Sequence, residues 1–215
     1  RSLDETLTAL EAGLGLTPGR IRIEVLIESA AAEEDVFNIA RSSRRLAGLI
    51  FGSYDYWASI GMRKATYRSD HPLLNSARCR IVKAAASVGI PAIAEMTTNY
   101  PTRDKTEDER REAIEEFKRD ALLAREFGFA GKWTGIPDQT ALAVEIFRIP
   151  DEEIARAISE ARRFIEAESQ GRGAAMIAGQ MADRATDRIN RVTLKAAYAL
   201  GRLDDKLAKE LGIAD

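Results

Sequence analysis

Histidine and cysteine are almost missing from this chain: His71 and Cys79 stand alone among its 215 residues. A single thiol forms no internal disulfide, and one imidazole with one thiol cannot build a zinc cage. Any bound metal must therefore be held by carboxylates, and oxygen-only ligation points to a hard ion such as Mg²⁺ or Mn²⁺. A charge surplus is absent too. Lys plus Arg number 32 against 34 Asp plus Glu, a net charge of −2, which disfavours a nucleic-acid partner. No run of eighteen apolar residues and no basic-then-apolar leader appears, so no membrane partner is expected and a reducing, cytoplasmic compartment is. The sequence opens on Arg1 rather than Met, and a segment upstream of it is expected.

Apolar residues make up 45% of the chain, enough for a sizeable core. Ser2, Leu3, Asp4 and Glu5 fit a capping box, with a helix running to about Gly13. Pro18-Gly19 then turns the chain into a strand over Ile21 to Ile27. A helical stretch from Glu33 to Arg45 precedes a second strand, Gly48 to Phe51. The helix Pro72 to Val88 leads to a third strand candidate, Ile90 to Met96. The charged helix Thr106 to Glu126 leads to a fourth, Ala130 to Thr134, and further helices follow. Within that charged helix Ile114, Phe117 and Ala121 form a stripe, and Glu107 and Arg111 are spaced as an i, i+4 pair.

Strands alternating with helices predict an α/β fold with a parallel sheet. Four such units amount to half of a (β/α)8 barrel, and a small open sheet flanked by helices is the alternative. Residues 1–150 form the sheet-bearing domain in this reading, and 151–215 a helical C-terminal extension. Ser169 to Ala175, "SQGRGAA", lacks the ending of a phosphate loop and is expected to be a hinge into that extension.

Ligand-binding groups of parallel sheets gather at the strands' C-terminal ends. Glu28 stands at the end of the first strand. Asp55 lies just past the second, in "LIFGSYDYWASIG", where Gly52 permits a tight turn and Ser53 leaves room. Two carboxylates converging in a crevice repel, and a divalent cation removes that repulsion. The bland alternatives are that Glu28 pairs with an arginine and that Asp55 caps a helix starting at Tyr56.

Four ordered blocks, "IEVLIESA", "LIFGSYDYWASIG", "GFAGKWTGIPDQ" and "GAAMIAGQMAD", resemble the citrate lyase β-subunit-like and malyl-CoA lyase branch of the HpcH/HpaI aldolase superfamily. The resemblance implies a TIM (β/α)8 barrel of which this chain is the C-terminal half, strands five to eight, plus the extension. It implies that Glu28 and Asp55 are Mg²⁺ ligands and that Asp183 performs acid/base work over a neighbouring subunit's site, including thioester hydrolysis in some relatives. It further implies a homo-oligomer, a trimer or hexamer, acting on a CoA thioester. The activity would be a carbon–carbon lyase joining an acyl-CoA to a small α-keto acid such as glyoxylate, or cleaving a malyl-, methylmalyl- or citramalyl-CoA type 3-hydroxyacyl-CoA. Trp57, past the second strand, and Trp133, at the fourth, either line a CoA channel or simply pack. Departures are Ile136-Pro137, where relatives commonly carry His-Pro, and the lack of a counterpart to the family's oxyanion-gripping arginine and second-strand Glu-Asp pair. A catalytically incomplete half-barrel serving as a structural module is the competing reading.

Overall fold

A computed structural model describes residues 2–171, 174–177 and 180–214. It divides the chain into two compact units, residues 1–147 and 148–215.

The first unit opens with α1 (Ser2–Gly13); the side chain of Ser2, and with it the expected capping box, lies outside the described residues. Four parallel strands follow, β1 (Ile23–Ile27), β2 (Leu46–Phe51), β3 (Ala92–Ala94) and β4 (Gly131–Lys132), paired in the order 1-2-3-4. An α/β fold with a parallel sheet is therefore present. The register of β1 against β2 shifts between Ile23 and Glu24 and then runs evenly to the pair Ile27 and Phe51, so both strands end together.

Alternation along the strands sends Val25, Ile27, Leu49, Phe51, Ala92 and Ala94 into one hydrophobic core. Facing them are Val36, Ala40, Leu74, Ala77, Ile81 and Ala84, which come from α3 (Val36–Arg41) and α5 (Pro72–Ser87). Glu24 and Leu26, on the opposite pleat, remain exposed. The predicted helix over Glu33 to Arg45 is two short ones, α2 (Ala30–Glu34) and α3, broken at Asp35. The predicted third and fourth strands are shorter than expected, because only the residues that reach a neighbouring ladder count as strand.

After Gly52 comes α4 (Ser53–Ser59), which starts three residues before the Tyr56 start of the alternative reading. The charged helix α6 (Glu107–Glu126) carries a complete capping box between Thr106 and Glu109. It buries Phe117 and Ala121 against Ala143 of α7 (Pro137–Phe147). Arg111 pairs with Asp108 at 2.6 Å rather than with Glu107.

At the N-terminal ends of the strands, α1 is tied down by charge. The Arg45 guanidinium donates to both oxygens of Glu11 at 2.8 Å and also reaches Asp4. Backbone amides of Gly19 and Ile21 donate to the same Glu11 carboxylate at 2.8 and 2.7 Å. Hydrogen bonding from Arg45, joined by those amides, pulls Glu11 down to about 2 against the opposing effect of burial.

The second unit packs α8 (Asp151–Ser169) against α9 (Arg184–Ala199) and α10 (Asp205–Glu210) around Ile154, Ala161, Leu194, Leu203 and Leu211. An antiparallel hairpin, β5 (Ala174–Ile177) and β6 (Gln180–Asp183), intervenes between α8 and α9. The expected hinge thus resolves into the end of α8 at Ser169, a turn at Gln170-Gly171, and the start of β5; Arg172 and Gly173 lie outside the described residues. Among the described residues no helix is long and apolar enough to cross a membrane.

Candidate active site

All four strands end at one crevice of about 260 Å³. Its wall is built from Glu28 beside β1, Gly52 to Asp55 beyond β2, Glu95 and Met96 beyond β3, and Trp133 beyond β4. Glu28 is the first residue after β1, and Asp55 lies in the first turn of α4. Both are exposed to the crevice mouth.

Neither bland alternative holds. Among the described residues no cation or hydrogen-bond donor meets the carboxylate of Glu28 or of Asp55. The N-cap of α4 is Gly52, without a side-chain cap bond, so Asp55 is inside the helix rather than capping it. Two acidic side chains that border one crevice thus have no cation beside them among the described residues.

Gly52 lets the chain entering α4 pass close to Glu28. A Cβ placed there would stand 2.6 Å from Glu28 Cβ and 3.1 Å from its Oε2. Since φ is −103°, the requirement is one of space rather than of backbone conformation. The hydroxyl of Ser53 bonds the Tyr67 phenol at 2.9 Å, and the rings of Tyr67 and Tyr54 stack at 4.4 Å. Burial pushes the Tyr67 phenol well above its usual range. Thr98, beyond β3, donates to the Tyr54 hydroxyl at 3.1 Å, linking two loops of the rim.

Of the two tryptophans, Trp57 is packed. It is 3% exposed, donates to the Arg63 carbonyl at 3.0 Å and meets the His71 ring edge-on. Trp133 is 40% exposed and borders the crevice.

Beneath the rim lies a buried polar layer that the sequence reading missed. Arg78 of α5, 1% exposed, pairs with Glu95, 5% exposed. Lys132 of β4 donates to the Glu95 carbonyl at 2.5 Å. Burial lowers the Lys132 ammonium below its usual range, opposed by Glu95 and Asp120. Gln139, at the start of α7, donates to the Thr97 carbonyl at 3.1 Å and accepts from the Gly135 amide at 3.0 Å, which fastens the loops after β3 and β4. Glu95 was legible by the rule that found Glu28, one residue past a strand. It was hidden because the third strand was drawn two residues too long at its C-terminal end.

Asp183 belongs to the second unit, where it is the N-cap of α9. Its Oδ1 accepts from the amides of Ala185 and Thr186 at 2.9 and 3.0 Å. Those bonds, with Thr186 foremost, hold its carboxyl below the usual range.

A family model, HpcH/HpaI aldolase/citrate lyase, matches residues 1–132. The chain belongs to the HpcH/HpaI aldolase/citrate lyase family. Among its relatives is an L-malyl-CoA/beta-methylmalyl-CoA lyase of Rhodobacter capsulatus, 31% identical over 210 residues, covering 91% of this chain and 62% of that protein. A citrate lyase subunit beta of Haemophilus influenzae is 29% identical over 182 residues, covering 84% of this chain and 57% of that protein. The crystal structure of a citrate lyase from Burkholderia xenovorans LB400 superposes with a TM-score of 0.75 at 27% identity, over 98% of this chain and 63% of that one. The chain thus spans somewhat less than two thirds of the length of these family members.

Proposed function

We propose that this chain carries the metal-binding half of a carbon–carbon lyase that forms or cleaves a 3-hydroxyacyl-CoA from an acyl-CoA and a small α-keto acid. The observation that carries the reading is the unpaired couple Glu28 and Asp55 at the ends of adjacent strands. The kinship with malyl-CoA lyases and a citrate lyase β subunit supports the substrate class.

The donor set fits a Mg²⁺ or Mn²⁺ ion. Such an ion typically takes one or two protein carboxylates and fills its other positions with water and ligand oxygens. Consistent with that, the described residues contain no group of three acidic, His or Cys side chains able to enclose a metal. When bound, the ion would act as a Lewis acid on the keto-acid carbonyl. Glu28 and Asp55 would hold it, Gly52 leaves room for the Glu28 side chain, and Trp133, Leu26 and Met96 supply an apolar border that limits water.

The half-barrel arrangement is part of the proposal. One face of the sheet is covered by α3 and α5, whereas Glu24 and Leu26 on the other are exposed, as expected of a segment whose open face lines a barrel interior. Asp183 would serve as the acid/base group across a subunit contact of a cytoplasmic homo-oligomer.

The test is direct. Calorimetry with Mn²⁺ should detect one site that Glu28→Ala and Asp55→Ala each remove, and Mg²⁺ should support condensation of glyoxylate with acetyl- or propionyl-CoA. Wild-type protein that binds no divalent ion overturns the metal assignment, and absence of both condensation and cleavage overturns the lyase.

A further inference from the structure

Glu95 is left with half of its hydrogen bonding undone. One oxygen, Oε1, is taken by the Arg78 guanidinium, while Oε2 is buried and has no partner among the described residues. A buried acceptor without a donor costs about 1–3 kcal/mol, more for a charged group. The surroundings do not relieve it: Lys132 is committed to the backbone carbonyl of the same residue, and the Thr97 hydroxyl donates to Asp120 at 2.6 Å.

Glu95 is also one of the residues that border the crevice with Glu28 and Asp55. With Oε1 held by Arg78, the spare oxygen is the part of Glu95 left to meet a donor arriving from the crevice. It can only accept. A ligand hydroxyl satisfies it, whereas a ligand carbonyl sets acceptor against acceptor.

We infer that Glu95 is a ligand-discriminating residue of the crevice, whose free oxygen accepts a hydrogen bond from a hydroxyl on the bound acid and so favours a hydroxy acid over the keto acid of the same skeleton. Within the proposed lyase reaction, on which the inference builds, this contact would steady the hydroxyl of the cleavage substrate. Arg78 acts as a positioning residue, fixing the other oxygen from α5.

The experiment is calorimetry on the full chain in Mg²⁺ with three probes of one skeleton: lactate, pyruvate and propionate. Wild type should bind lactate more tightly than either of the others, by on the order of tenfold. Glu95→Gln puts an amide N–H₂ where the free oxygen was and turns an acceptor into a donor. The lactate-to-pyruvate preference should then fall by about tenfold or reverse. An unchanged preference in a folded Glu95→Gln variant overturns the inference. Should that variant not fold, the wild-type protein decides: propionate binding as tightly as lactate overturns it equally, and so does binding of none of the three. The metal assignment fails separately, through loss of Mn²⁺ binding in wild type.

Discussion

Replacing Gly52 by alanine tests the site through a single methyl group. The new Cβ would fall 2.6 Å from Glu28 Cβ and 3.4 Å from Glu28 Cα. Ordinary carbon–carbon contact begins near 3.5 Å, so the nearer overlap is roughly 1 Å. Atoms so close to the β1 backbone cannot swing away as a side-chain tip can, so the end of β1 or the start of α4 must give. Overpacking of this kind costs about 1–3 kcal/mol. The same displacement moves the carboxylate proposed to hold the metal, so Mn²⁺ affinity should fall by about tenfold or more. Gly61→Ala is the control. Its φ of 75° makes alanine unfavourable by about 1–2 kcal/mol, but an added Cβ there meets nothing within 4 Å. Urea unfolding should therefore show both variants destabilised, and Mn²⁺ titration should single out Gly52→Ala. If Gly52→Ala matches wild type in both assays, the reasoning that ties this glycine to the placement of Glu28 is wrong.

Other expectations follow from the buried charges and caps. Arg78→Ala strands Glu95 without its cation and should cost about 3–5 kcal/mol in urea unfolding; a loss below about 1 kcal/mol would show that the pair is dispensable. Glu11, held at about 2 in the fold against 4.5 ordinarily, stabilises the protein fully above pH 4.5, and that contribution is lost as the pH falls toward 2. The drop in thermal midpoint over that window should be shallower in Glu11→Gln, and parallel curves would contradict the linkage. Asp183→Asn keeps a good helix cap while removing the acid, so it should melt like wild type yet lose any release of free CoA; Asp183→Ala should also lower the melting point of the second unit.

How far the sequence could be read follows from where each signal resides. Apolar alternation around Val25 and Ile27 marked β1 because both faces of a strand leave a period-two trace. The short β3 and β4 were foreseen, but their limits, Ala92–Ala94 and Gly131–Lys132, are defined by the ladders they meet, which are long-range facts. Glu28 and Asp55 could be singled out because the ends of β1 and β2 show in the pattern. What the pattern could not tell was whether an arginine waits beside Glu28; the one that penetrates this layer, Arg78, goes to Glu95 instead. Arg78 itself reads as one more polar residue on α5, since its burial depends on the packing of α5 over the sheet. The β5–β6 hairpin escaped notice because four-residue strands of small and apolar residues are indistinguishable from loop by periodicity.

The knot of Arg45, Glu11 and Asp4 sits at one pole of the strands, and the acidic crevice at the other. Anchoring and chemistry therefore draw on separate neighbourhoods. Directed evolution could harden the lower pole against acid or heat while leaving catalysis alone, and could reshape the upper pole for new acids without loosening the first helix.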